Sequence, residues 1–135
     1  MKHEKITKAI IGAAMKVHSR LRPGLDECFY EKALVIELAG MGLSFENQRE
    51  FPVYYEGHFL GKLVPDLIVE NAVIADTKVV TAFNDEHISQ MIGYLNVTGL
   101  EVALLLNFKH ASLQWKRVVV GVDPAPDSTP SDLSA

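Results

Sequence analysis

The sequence predicts an α/β domain, a mixed sheet with helices packed on it, with its elements in the order ααβββαββ. Three observations carry this. Apolar residues recur at helical spacing near the N-terminus, Phe51, Val53 and Tyr55 alternate with their neighbours, and Glu101 to Phe108 is a nearly continuous apolar run. Such a run is typical of a strand buried on both faces.

Ile6, Ile10, Ala13, Val17 and Leu21 set the first helix, which Arg22-Pro23-Gly24 breaks. A second helix is expected from about Asp26 to Met41, with Asp26 as its cap and Gly40 and Gly42 at its end. Strand chemistry follows. Phe51 to Tyr55 runs out, Glu56-Gly57-His58 turns, and Phe59 to Glu70 returns. Glu70-Asn71 turns again into Ala72 to Val80, which makes a three-stranded meander. Asn84 to Thr98 reads as a helix with Ile88, Met91, Ile92 and Leu95 facing inward. Glu101 to Phe108 and Leu113 to Val122 are the last two strands.

A chain of 135 residues, 48% apolar, is one domain with a core of its own. The tail from Asp123 to Ala135 is acidic, rich in Pro and Ser, and expected to be disordered, leaving 2–122 as the folded unit. The N-terminal segment carries charges throughout and lacks the apolar core of a signal peptide. No stretch approaches the roughly 20 apolar residues of a membrane helix. Cys28 is the only cysteine, so an internal disulfide, a thiolate zinc site and an iron–sulfur cluster are excluded. A cytoplasmic protein without membrane contact is expected.

Net charge is −4, but three of the acids lie in the tail and the rest of the chain is nearly balanced. The first 24 residues hold Lys2, Lys5, Lys8, Lys16, Arg20 and Arg22 against Glu4. A basic helix of this kind either tracks phosphates or is a solvated face.

The chemistry-bearing residues lie around the second turn. Pro65-Asp66 precedes it and Asp76-Thr77-Lys78 follows it. Asp76 and Lys78 point to one face of their strand. A turn at Glu70-Asn71 sets Asp66 opposite Ala75 or Asp76, within reach of a shared cation. Without a cation or a base, two close carboxylates repel and one pKa rises. Lys78 is either their structural partner or a catalytic ammonium. Glu27 and Tyr30 share a helix face, as do His87, Gln90 and Tyr94. Read singly, Glu27 is a favourable charge at a helix N-terminus, and the second group is a half-exposed helix flank.

Taken together these residues resemble the bacterial GxxExxY family of the PD-(D/E)xK nuclease superfamily, over nearly the whole folded part, from Ile10 to Val120. Gly24, Glu27 and Tyr30 match the family signature. Pro65-Asp66 with Asp76-Thr77-Lys78 matches the superfamily motif, and Gln90 with Tyr94 matches the helix motif of RecB-type exonucleases. Val17-His18 and Leu104 to Phe108 also fit. The chain departs from the family where Asp76 replaces the usual Glu and Arg22 the usual Gly.

The resemblance implies a restriction-endonuclease-like fold of about four core strands flanked by helices. It implies Mg²⁺ or Mn²⁺ on Glu27, Asp66, Asp76 and the Thr77 carbonyl, and DNA as the partner. Lys78 would orient the attacking water or stabilise the charged phosphorus, and Gln90 and Tyr94 would position Lys78, the water or the DNA backbone. His18, His87 and Tyr30 are outer candidates. The expected function is metal-dependent hydrolysis of phosphodiester bonds in DNA; the alternative is an inactive nuclease-like module that binds nucleic acid or protein. The strand near Tyr54-Tyr55 is a candidate homodimer edge.

Overall fold

The computed structural model describes residues 2–121. The acidic tail and the expected end of the last strand at Val122 lie outside them. Two helices open the chain, α1 (Glu4–Leu21) and α2 (Glu27–Gly40). Five strands follow: β1 (Phe45–Asn47), β2 (Phe51–Tyr55), β3 (His58–Leu63), β4 (Leu67–Val69) and β5 (Val73–Lys78). Then come α3 (Asp85–Thr98), β6 (Val102–Asn107) and β7 (Gln114–Val119).

The central sheet has the order β1-β4-β5-β6-β7. β5 and β6 are parallel, joined by α3 as a crossover, and the other pairs are antiparallel. This is the mixed sheet expected, but the expected meander is corrected in two ways. Phe59 to Glu70 is not one strand; it breaks at Val64-Pro65-Asp66 into β3 and β4, and β2–β3 forms a sheet of its own. Proline has no N–H to give a ladder, which suits the break. The second correction is β1, a three-residue edge strand too short and too polar to show alternation.

Alternation along the strands assigns the two core layers. Leu67, Val69, Val73, Ala75, Val102, Leu104 and Leu106 meet Ile10, Ala13, Val17, Leu34 and Leu38 of α1 and α2. Ile68, Ile74, Ala103 and Leu105 meet Met91, Tyr94 and Leu95 of α3. All six residues of β6 are buried, as its apolar run requires. Helix ends matter because they aim side chains at the site. Asn84 caps α3 with a reciprocal box: its Oδ1 accepts from the His87 N–H, and His87 Nδ1 accepts from the Asn84 N–H. Asp26 stands at the N-cap of α2, but its side chain makes no capping bond. Tyr30 ties that loop instead. Its hydroxyl donates to the Arg22 carbonyl at 2.7 Å and accepts from the Leu25 N–H at 3.1 Å.

Candidate functional site

The site lies at the C-terminal end of β5, beyond the point where its neighbour β4 stops. The last pair of that ladder is Leu67 with Ala75. One residue further along the same register, Asp66 opposes Asp76, which decides between the two alternatives the turn left open. The next position would set Pro65 against Thr77. Proline has no N–H to offer, so the ladder ends there. Asp66 takes the vacated place: its Oδ2 accepts from the Thr77 N–H at 3.0 Å and from Thr77 Oγ1 at 3.3 Å. The N–H and C=O of a strand residue point to one side. The Thr77 carbonyl therefore looks out over the same open edge.

Ile74, Asp76 and Lys78 alternate with their neighbours and face α3. Asp76 is 2% exposed. Its Oδ2 lies 2.7 Å from Lys78 Nζ as an ion pair but has no partner in hydrogen-bond geometry among the described residues. Lys78 Nζ donates to Gln90 Oε1 at 2.9 Å, and Gln90 Nε2 donates to the Tyr94 hydroxyl at 3.0 Å. Gln90 and Tyr94 are one turn apart on α3, so β5 and α3 together hold the lysine by its head.

Electrostatics follow from burial of like charges. Burial first, then Asp76, then Glu31 push the Asp66 carboxyl up to about 8 against the Thr77 N–H. Near neutral pH the pair therefore retains a proton when no cation is present. The Glu27 carboxyl is also raised, by lost hydration first and by Asp76 and Glu31, while Lys78 and the Val79 N–H pull it down. Glu27 is exposed in the first turn of α2, yet within the field of the same charges. Burial and the two aspartates push Tyr94 up to about 12, so its hydroxyl stays neutral.

The structure thus brings Asp66, Asp76, Lys78, Gln90 and Tyr94 together and sets Glu27 at the rim. The outer candidates have local partners. His18 Nε2 lies 2.7 Å from the His110 carbonyl, His87 belongs to the α3 cap, and Tyr30 holds the loop before α2. Three residues escaped the sequence reading. Glu31 accepts from Asn47 Nδ2 and Gln48 Nε2, both at 2.8 Å. Asn47 Nδ2 and the Gln48 N–H also reach the Asp66 carbonyl, each at 2.9 Å. They fix the backbone of Asp66 from β1. The spacing of Glu31 four residues after Glu27 was the one available signal.

Among the described residues no group of three or more His, Cys, Asp or Glu side chains is arranged to hold a metal ion. The donor set still fits a hard cation. Mg²⁺ is commonly held by one or two carboxylates plus substrate phosphates rather than by an all-protein cage. Asp66 and Asp76 supply two carboxylates, one with an oxygen free of hydrogen bonds. A cleft of about 570 Å³ between the start of α3 and β7, lined by Phe83, Ile88 and Trp115 among others, includes none of these carboxylates.

A mixed sheet with helices on both faces, bearing two carboxylates and a lysine at the end of a parallel strand, defines a nuclease-type α/β fold. The sequence matches the model of the PD-(D/E)XK nuclease superfamily over residues 4–118, and the chain belongs to that superfamily. A solved structure titled "Crystal structure of SSO0001" is similar, with a TM-score of 0.55 and 16% identity over 70% of this chain and 50% of that one. The chain spans about half of that protein's length, and at this identity the likeness shows the fold alone. It is the restriction-endonuclease-like architecture expected. No curated protein matches the sequence. No helix among the described residues is long and apolar enough to cross a membrane.

Proposed function

We propose that the chain is a metal-dependent nuclease that hydrolyses phosphodiester bonds in DNA, of the GxxExxY branch with the RecB-type helix motif. The observation that carries this reading is the Asp66–Asp76 pair. Two carboxylates are crowded at a strand end, one of them pushed up to about 8, beside a lysine held by Gln90. Such crowding is a cost that a divalent cation relieves.

Asp66, Asp76 and the Thr77 carbonyl would hold Mg²⁺ or Mn²⁺, with Glu27 at the rim as a further carboxylate. When bound, the cation supplies Lewis acidity toward phosphate oxygens and lowers the pKa of water. The residues of the chain do the positioning. Lys78 presents an ammonium where negative charge grows as water adds to phosphorus and the leaving oxygen departs. Gln90 holds that ammonium, and Tyr94 anchors Gln90 while keeping its own proton to donate. The exposed Tyr54 and Tyr55 edge supports a homodimer as part of this proposal.

One observation favours a second reading. Lys78 already sits 2.7 Å from Asp76, as a closed pair would in an inactive module that only binds nucleic acid or protein. Calorimetric titration with Mn²⁺ separates the two. Wild type should bind and release protons on binding, while Asp66→Ala and Asp76→Ala should lose the heat. Metal-dependent cleavage of a DNA substrate should then follow, and its absence together with no Mn²⁺ binding would leave the second reading.

A further inference from the structure

Arg22 occupies a backbone conformation that side chains avoid. Its φ is 64° and its ψ 163°, a region adopted almost only by glycine. Its backbone groups do nothing there that glycine could not do. The Arg22 N–H donates to the His18 carbonyl at 2.9 Å, and its own carbonyl accepts from the Tyr30 hydroxyl at 2.7 Å. What the position gains over glycine is the guanidinium.

Arg22 lines a cleft of about 500 Å³ with His18, Ser19, Pro23, Lys109 and Ala111. Neither Arg22 nor Lys109 joins an ion pair among the described residues. Lys109 Nζ has a long bond to Thr81 Oγ1, at 3.4 Å. Two cationic residues thus line one concavity that has no acidic residue in its lining.

The cleft lies at the same end of the sheet as Asp66 and Asp76. Lys78 pairs with Asn107 across β5 and β6, and the Phe108 N–H donates to the Lys78 carbonyl at 2.9 Å. Lys109 is the next residue. The Tyr30 ring, whose hydroxyl holds Arg22, stacks on Phe108 with centroids 4.7 Å apart. Arg22 ends α1 on one face of the sheet and Lys78 faces α3 on the other, so a nucleic-acid backbone that runs across the strand ends from Lys78 would pass over this cleft.

We propose that Arg22 and Lys109 form a phosphate subsite that grips the nucleic-acid backbone beside the scissile bond. The proposal rests on the nuclease reading for its substrate and makes Arg22 a binding residue retained against backbone strain. Guanidinium and ammonium groups both bind phosphate oxygens, and the guanidinium fork does so bidentately.

The test is fluorescence anisotropy of the full chain with labelled single-stranded and duplex DNA in EDTA, across a salt series, alongside thermal melts. Arg22→Gly should melt a few degrees higher as the strain is relieved. It should also bind on the order of tenfold more weakly, the size of one charge-assisted hydrogen bond. Its salt slope should fall by about 0.7 to 0.9. Lys109→Ala should weaken binding similarly without the rise in melting temperature, and Arg22→Lys should retain most of the affinity. If Arg22→Gly and Lys109→Ala both bind as wild type does, or if wild type binds neither DNA, the subsite is wrong. Cleavage by the wild type with Mn²⁺, measured beside binding, keeps the two readings apart. Wild type that binds through the subsite but never cleaves with Mn²⁺ sinks the nuclease reading and leaves the subsite standing.

Discussion

The β2–β3 and β4–β5 hairpins are consecutive in the chain and turn alike. Each passes through two residues of positive φ, Glu56-Gly57 in the first and Glu70-Asn71 in the second. Their fates differ. The strands of the second are buried and form the middle of the sheet, while Tyr54, Tyr55, Phe59 and Leu60 of the first are 61–66% exposed. Turn chemistry is enough to pair two strands. A place in the central sheet needs apolar side chains on both faces, as in Leu67-Ile68-Val69 and Val73-Ile74-Ala75. Pro52, Gly61 and Lys62 deny the first hairpin that. The buried hairpin is also the one beside the Asp66–Asp76 pair, at the end where its ladder gives out.

The comparison is tested most strongly by function. Lys78→Ala in β5 should lower the rate of DNA cleavage by roughly 10²–10³, the loss seen when one preorganised charge-stabilising donor is removed. The chain should stay folded, and circular dichroism checks this. Lys62→Ala in β3, which breaks only an exposed pair with Glu50, should leave cleavage unchanged. Equal effects in the two hairpins would refute the placement of the chemistry.

Stability comes next. Ile74→Ala removes a fully buried side chain between β5 and α3 and should cost about 2–5 kcal/mol in urea unfolding. Leu60→Ala on the exposed hairpin should stay within about 0.5 kcal/mol. A large loss at Leu60 would instead mean that the hairpin face is covered in solution, as the proposed homodimer requires. Sedimentation of wild type beside Leu60→Asp would show that directly.

The same two hairpins show what a sequence discloses. The Glu70-Asn71 turn and the buried β6 were legible because turn propensity and apolar runs are local. Lys78, Gln90 and Tyr94 were legible because strand and helix periods fix their faces. The β3–β4 break was not, although Pro65 was in view, because a proline inside an apolar run also suits an edge strand. Glu31, Asn47 and Gln48 stayed hidden for another reason. Their bonds to one another and to Asp66 join α2, the end of β1 and the break between β3 and β4, and no spacing along the chain encodes that approach. The strain at Arg22 belongs to the same class, being a property of φ and ψ rather than of residue type.

Titration of the site gives a smaller effect with a definite sign. Asp66 is held near 8 in the folded chain against an ordinary 3.8. Between those values the native state binds the extra proton, so stability falls as pH rises. In EDTA the wild type should therefore melt progressively lower from about pH 4 to pH 8. Asp66→Asn keeps an acceptor for the Thr77 N–H and should flatten that fall, melting higher than wild type at pH 8. Adding Mn²⁺ at pH 8 should raise the wild-type melting temperature more than that of the variant. A wild-type profile that rises across this window would contradict the buried carboxyl pair.

The smallest effect compares the two turns themselves. Glu56 and Glu70 have nearly the same φ, 50° and 53°, where glycine is at ease and glutamate is not. On backbone grounds alone, glycine at either position should stabilise, offset in part by the added entropy of the unfolded chain. The side chains separate them. Glu70 Oε2 accepts from the Ser44 N–H at 2.7 Å and from Ser44 Oγ at 2.6 Å, which lowers its pKa and ties the β4–β5 turn to the start of β1. No such bond is made by Glu56 among the described residues. Glu56→Gly should therefore be neutral or stabilising by up to about 1 kcal/mol, and Glu70→Gly should be destabilising. The depressed pKa sets the pH at which this difference fades. The contribution of Glu70 is present above the ordinary carboxylate range and is lost as pH falls through its lowered value. The two variants should thus converge in stability in acid and diverge at neutral pH.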